Sequence, residues 1–107
     1  MTARRGTTAT ANLAAAAESA VLATLEINQK DSRGFTWFCR GDASGTVRVY
    51  FVDHDDVQDS DPLQELALAA NTRAVLDFDY RAPKTVITFE PDAAAAMTVK
   101  VEGIGYG

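Results

Sequence analysis

Asp61-Pro62-Leu63-Gln64-Glu65-Leu66-Ala67-Leu68-Ala69-Ala70-Asn71-Thr72-Arg73-Ala74-Val75-Leu76-Asp77-Phe78-Asp79-Tyr80 is the passage whose reading decides the fold. Asp61 has the character of a helix N-cap, and Pro62 suits the first helical position, where a missing N–H costs nothing. Leu63, Leu66, Ala67 and Ala70 recur at helical spacing, and Asn71 fits a left-handed C-cap. The spacing therefore predicts a short helix near 62–70. After Asn71 the period becomes two. Ala74, Leu76, Phe78 and Tyr80 take one side; Arg73, Val75, Asp77 and Asp79 take the other, as in a half-buried strand.

Period-two patterning extends in both directions from this passage. Downstream, Thr85, Ile87 and Phe89 alternate with Lys84, Val86, Thr88 and Glu90, and Met97, Val99 and Val101 alternate with Thr98, Lys100 and Glu102. The glycine-rich Gly103–Gly107 follows. Upstream, Val47, Val49 and Phe51 oppose Arg48, Tyr50 and Val52. Phe35, Trp37 and Cys39 oppose Thr36, Phe38 and Arg40, and Val21 to Asn28 alternates as well. Gly41-Asp42-Ala43-Ser44-Gly45 has hairpin-loop composition, which makes residues 35–52 the strongest expected local pairing. About six strands and one short helix imply a mainly β chain, an antiparallel β-sandwich or small barrel. Residues 1–20 read as an extended or flexible N-terminal arm, rich in Thr and Ala and carrying Arg4 and Arg5. Asn12 to Ala20 has some helical propensity. Residues 21–107 form a single β-rich domain.

The chain has 107 residues, 47% of them hydrophobic, enough for one modest core. No apolar run is long enough to span a bilayer as a helix, and no signal-peptide pattern is present, so the expected setting is cytoplasmic, or a virus-like particle assembled there. The single Cys39 excludes an internal disulfide and a multi-cysteine metal site. The net charge is −5, unevenly placed: residues 41–80 carry nine acids against Arg48 and Arg73. Such a body is a poor match for phosphate backbones, so no nucleic acid is expected on it.

The acidic run Asp53-His54-Asp55-Asp56-Val57-Gln58-Asp59-Ser60-Asp61 is the most conspicuous polar feature. A divalent cation would take its oxygens from Asp53, Asp55, Asp56 and Asp59, but the spacing lacks the glycine and terminal Glu of an EF-hand loop. A solvated loop is the simpler reading. His54 is the only histidine, and no serine lies in a nucleophile-elbow context, so the sequence offers no catalytic group. Arg40-Gly41-Asp42 spells an adhesion tripeptide but fits the end of a strand entering a turn.

Several segments resemble the pyridoxamine-phosphate-oxidase-like flavin split barrels. Val21-Leu22-Ala23-Thr24-Leu25 is similar to their first strand, and Thr46 to Asp53 to the strand entering their phosphate loop. Glu65 to Leu76 is similar to their helix, Asn-Pro-Arg and following strand, with Thr72 where Pro is usual. Val99 to Gly103 resembles a later strand. The resemblance implies an FMN-binding, oxidoreductase-like protein whose cofactor phosphate is held by Arg, Lys and Ser or Thr. The segment ahead of the expected helix instead holds five aspartates and no Lys or Arg, which repel a phosphate.

The leading expectation is therefore a non-enzymatic assembly protein with no cofactor. It packs against copies of itself or into a larger particle, with a virus or phage particle component as the architectural analogy; the alternative is the flavin protein. Arg4 and Arg5 in the arm, with Phe38, Tyr50 and Val52 on the second face of the 35–52 hairpin, are the expected interaction residues.

Overall fold

The computed structural model describes residues 5–14, 16–26, 34–79, 83–93 and 96–106. Eight strands are present: β1 (Arg5–Leu13), β2 (Ala23–Glu26), β3 (Gly34–Gly41), β4 (Gly45–Val52), β5 (Gln64–Leu68), β6 (Arg73–Phe78), β7 (Lys84–Pro91) and β8 (Met97–Tyr106). They form two four-stranded sheets, ordered β1-β8-β3-β6 and β2-β7-β4-β5, with every pair antiparallel. First pairs with last, second with seventh, third with sixth and fourth with fifth. The chain thus doubles back at the β4–β5 connection as one long hairpin and then rolls up. That is the topology of a jelly roll, here a two-sheet sandwich.

Alternation explains the two layers. Phe35, Trp37 and Cys39 of β3, Ala74, Leu76 and Phe78 of β6, and Val99 and Val101 of β8 point inward from one sheet. Leu25, Val47, Val49, Leu68, Ile87 and Phe89 meet them from the other. Phe35 and Phe78, cross-strand partners, stack with centroids 4.6 Å apart. Trp37 is fully buried, and its indole N–H donates to Thr85 Oγ1 at 2.9 Å, joining β3 of one sheet to β7 of the other. The two buried polar groups thereby satisfy each other. The indole lies over Gly103, its register partner on β8; a Cβ there would stand 2.8 Å from the ring. The glycine-rich C-terminal segment is thus part of a ten-residue strand.

Three expectations are corrected. Among the described residues there is no helix, and the 62–70 segment contains β5 instead. Leu63 N–H donates to the Val49 carbonyl, and Gln64, Leu66 and Leu68 oppose Val49, Val47 and Gly45. A short apolar run satisfies helical and strand spacing together, and the unpaired edge of β4 decides the outcome. Asn71 does adopt a left-handed conformation (φ 59°), but in the β5–β6 turn, where Thr72 N–H donates to the Ala69 carbonyl.

The 35–52 segment is not a hairpin. β3 and β4 belong to different sheets, and Gly41 to Gly45 crosses between them. Each strand has an apolar inner row, and each finds its partners elsewhere: β3 between β8 and β6, β4 between β7 and β5. Finally, the described residues hold eight strands rather than about six, because β1 and β5 lie in segments that read as arm and helix in the sequence. Residues 5–13 extend along β8 of the same chain, with Ala9, Ala11 and Leu13 packed on the core.

Candidate interaction face

The outer faces of the two sheets differ in kind. On the β2-β7-β4-β5 sheet, the chain covers itself. Tyr50, Val52 and Val86 form a small apolar cluster on the outside, yet each is only 5–6% exposed. The β1–β2 connection crosses there, fixed by Ser19 N–H to the Phe89 carbonyl (2.8 Å) and Leu22 N–H to the Ile87 carbonyl (2.9 Å). It delivers the Glu18 carboxylate, which accepts hydrogen bonds from the Tyr50 hydroxyl and from Thr88 Oγ1 (2.6 Å). Burial pulls the Glu18 pKa upward, but the Thr88 and Tyr50 hydrogen bonds and the Arg48 charge together hold it below the usual carboxylate value. Burial, together with the adjoining carboxylate, pushes the Tyr50 phenol up to about 12.

Cations on this face are neutralised. Arg48 pairs with Glu65 (2.5 Å) and Glu90 (3.1 Å), with Glu18 at 3.9 Å. The Glu65 hydrogen bond leads in raising its pKa. Lys84 pairs with Asp56 and, at 3.5 Å, with Glu26.

The acidic run is a tight turn at the tip of the long hairpin. Asp53 N–H donates to the Val57 carbonyl, and Asp56 N–H to the Asp53 carbonyl. Asp53 Oδ1 accepts from the backbone N–H groups of Asp55 (2.9 Å) and Val57 (3.0 Å), so this carboxylate closes the turn. Asp56 takes the left-handed position (φ 64°), as in a three-residue hairpin loop, and its carboxylate meets Lys84. No group of three or more His, Cys, Asp or Glu side chains is placed to hold a metal among the described residues. Asp55, Asp59 and Asp61 are exposed, and Val57 between them is 57% exposed.

On the β1-β8-β3-β6 sheet the outer face is open. Phe38 is half-buried, with Val75 of β6 (50% exposed) and Glu102 of β8 opposite it on the two neighbouring strands. One register step along lies a row of three cations: Arg40 of β3 faces Arg73 of β6 on one side and Lys100 of β8 on the other. All three are exposed, and no ion pair engages them among the described residues. Thr36 Oγ1 hydrogen-bonds Asp77 farther down the face. A depression of about 440 Å³ opens between Phe38, Arg40, Lys100 and the Thr8–Thr10 stretch of β1.

Of the expected interaction residues, Phe38 lies on this open face. Tyr50 and Val52 lie on the opposite outer face under the chain's own cover, because the strands that carry them belong to different sheets. Arg5 begins β1, and Arg4 lies outside the described residues. Cys39 faces the core, and burial raises its thiol to about 12, which keeps it an inert thiol. The segment that carried the flavin resemblance is β5, a turn and β6. The cation row was missed because alternation assigns each residue a face but says nothing of which strands adjoin.

No protein family's sequence profile matches the chain, and no curated protein matches it in sequence. Solved structures do match in fold. The exported protein XepA of PBSX superposes with a TM-score of 0.71 at 14% identity; the match covers 96% of this chain but only 37% of that one. YomS, derived from the SPBc2 prophage, gives 0.58 at 23% identity over all of this chain and 97% of that one. A structure of Bacillus endospore appendages, described as disulfide-linked pili, gives 0.59 at 15% identity, covering 97% and 86%. At these identities what is shared is the fold: a two-sheet sandwich also found in phage-derived and pilus-forming proteins.

Proposed function

We propose that the protein is a non-enzymatic structural component that packs against copies of itself within a larger particle, of the virus or phage kind. The carrying observation is the contrast between the outer faces. One is sealed by the chain's own connections and ion pairs, whereas the other presents Phe38, Val75 and three exposed cations that no ion pair engages among the described residues. In a chain of net charge −5, an exposed row of three cations marks a surface that meets something acidic. Phage-derived and appendage-forming proteins with the same fold lend support at the level of architecture.

Light scattering on the purified protein tests the reading. A concentration-dependent mass above the 11.5 kDa of one chain is expected. A strict monomer at every concentration, or a yellow preparation releasing flavin on denaturation, refutes it.

A further inference from the structure

We infer that the Val57 turn of one copy docks on the Phe38–Val75 face of the next, head to tail. The inference rests on the self-assembly reading and names its two surfaces. The receiving face has an apolar centre, Phe38 and Val75, flanked by Arg40, Arg73 and Lys100. The turn has the complementary pattern: Val57 at its centre, with the exposed Asp55, Asp59 and Asp61 around it, whose carboxylates meet no cation among the described residues. Arg48 and Lys84 are already paired, whereas Arg40, Arg73 and Lys100 are exposed together in one row able to meet these acids.

Geometry keeps the two surfaces of one copy apart. Arg40, Arg73 and Lys100 adjoin the β3–β4 crossing and the β5–β6 turn. The Val57 turn caps the other end of β4, on the other sheet. A copy cannot satisfy itself, and a second copy can. A two-fold contact through the cation face would set the row against itself, Arg40 and Lys100 against their own kind, which is repulsive. Two different surfaces on one chain give a heterologous contact, which propagates into a ring or a filament. Glu102 and Asp42 border the row, and they contribute specificity by excluding acids from that margin.

A charge-swap experiment tests this. Variant one carries Arg40→Glu and Arg73→Glu; variant two carries Asp55→Lys and Asp59→Lys. Both pairs are exposed, and a single cooperative melting transition in each variant verifies the fold. Sedimentation velocity of the wild type should show association that weakens with salt. Each variant alone should associate at least about tenfold more weakly, because turn and face then carry the same sign. An equimolar mixture should regain assembly, because both of its mixed contacts are complementary. Should a double reversal unfold, Arg40→Gln with Arg73→Gln reads the same contact as a loss of salt dependence. If the wild type assembles while neither variant weakens it, or the mixture stays dissociated, this docking is wrong and self-assembly by another surface stands. A wild type that never associates overturns both.

Discussion

Glu18→Ala is the most direct probe of how the closed face is held. The carboxylate accepts two hydroxyl hydrogen bonds, from Tyr50 and Thr88, and those residues are 6% and 3% exposed. Hydrogen bonds to a charged group contribute about 1.5–3 kcal/mol each, toward the lower end here because Glu18 is partly solvated. Removing the acceptor also leaves two near-buried hydroxyls seeking water. The expected loss is about 2–3 kcal/mol, which lowers Tm by about 10–15 °C in a domain of this size. Glu18→Gln keeps an acceptor and should lose about half as much.

Urea unfolding of Glu18→Ala, Tyr50→Phe and the double variant apportions the effect. A coupling of at least about 0.5 kcal/mol is expected between them. The pH profile supplies an independent reading. The Glu18 carboxyl is depressed below 4.5 when folded, so its contribution is complete above that value and fades as pH falls through the lower folded one. Tyr50 is raised from 10 to about 12, so its contribution is complete below pH 10 and is lost as pH climbs toward 12. Tyr50→Phe should abolish the alkaline limb. If Glu18→Ala stays within about 0.5 kcal/mol of wild type, the connection does not hold the face and the reasoning fails.

Gly103→Ala places a Cβ 2.8 Å from the Trp37 ring, which the Thr85 hydrogen bond keeps from tilting away; a loss of about 1–3 kcal/mol in urea unfolding is expected, and wild-type stability would contradict that packing. Arg40→Gln removes the charge that faces two like charges, Arg73 and Lys100, so the isolated chain should gain a few tenths to about 1 kcal/mol at low salt. That gain should shrink at high salt, and a destabilised variant would contradict it.

Period-two alternation made most of the fold legible. β3, β4, β6, β7 and the first half of β8 lie where alternation places them, because each inner row is apolar apart from Thr85. β5 was obscured because Leu63, Leu66, Ala67 and Ala70 satisfy a helix while Gln64, Leu66 and Leu68 satisfy a strand; only the free edge of β4 chooses. β1 was obscured for a different reason. Its inner residues Ala9 and Ala11 are too small to stand out as a hydrophobic row, although Leu13 continues the pattern. The 35–52 hairpin failed on topology: a five-residue glycine-bounded loop can turn within a sheet or cross between two, and local composition does not distinguish them. The candidate face inherits that limit. Phe38, Arg40, Val75 and Lys100 each had a legible face, but their adjacency is created by the order β8-β3-β6, which sequence-local patterning cannot reveal.

The rolled topology separates what holds this domain together from what the proposal uses to join copies. The core lies between the sheets, crossed by the Trp37–Thr85 bond, and the second outer face is locked by Glu18, Arg48 and Lys84. The Val57 turn is the tip at which the long hairpin reverses; Asp56 ties it to Lys84, but the carboxylates of Asp55 and Asp59 touch neither region, and the turn is held by Asp53 and the backbone rather than by them. The cation row lies on the outside of strands whose inner faces are already filled. Folding should therefore tolerate changes at Asp55, Asp59, Arg40 and Arg73 that association does not. Opposing like charges, which cost the lone chain a little stability, are retained on one side, while Asp55 and Asp59 stand exposed on a hydrogen-bonded turn at the other, meeting no cation among the described residues. In a chain free to pair its cations internally, as it does with Arg48 and Lys84, that arrangement makes physical sense when the missing counter-charge belongs to another copy.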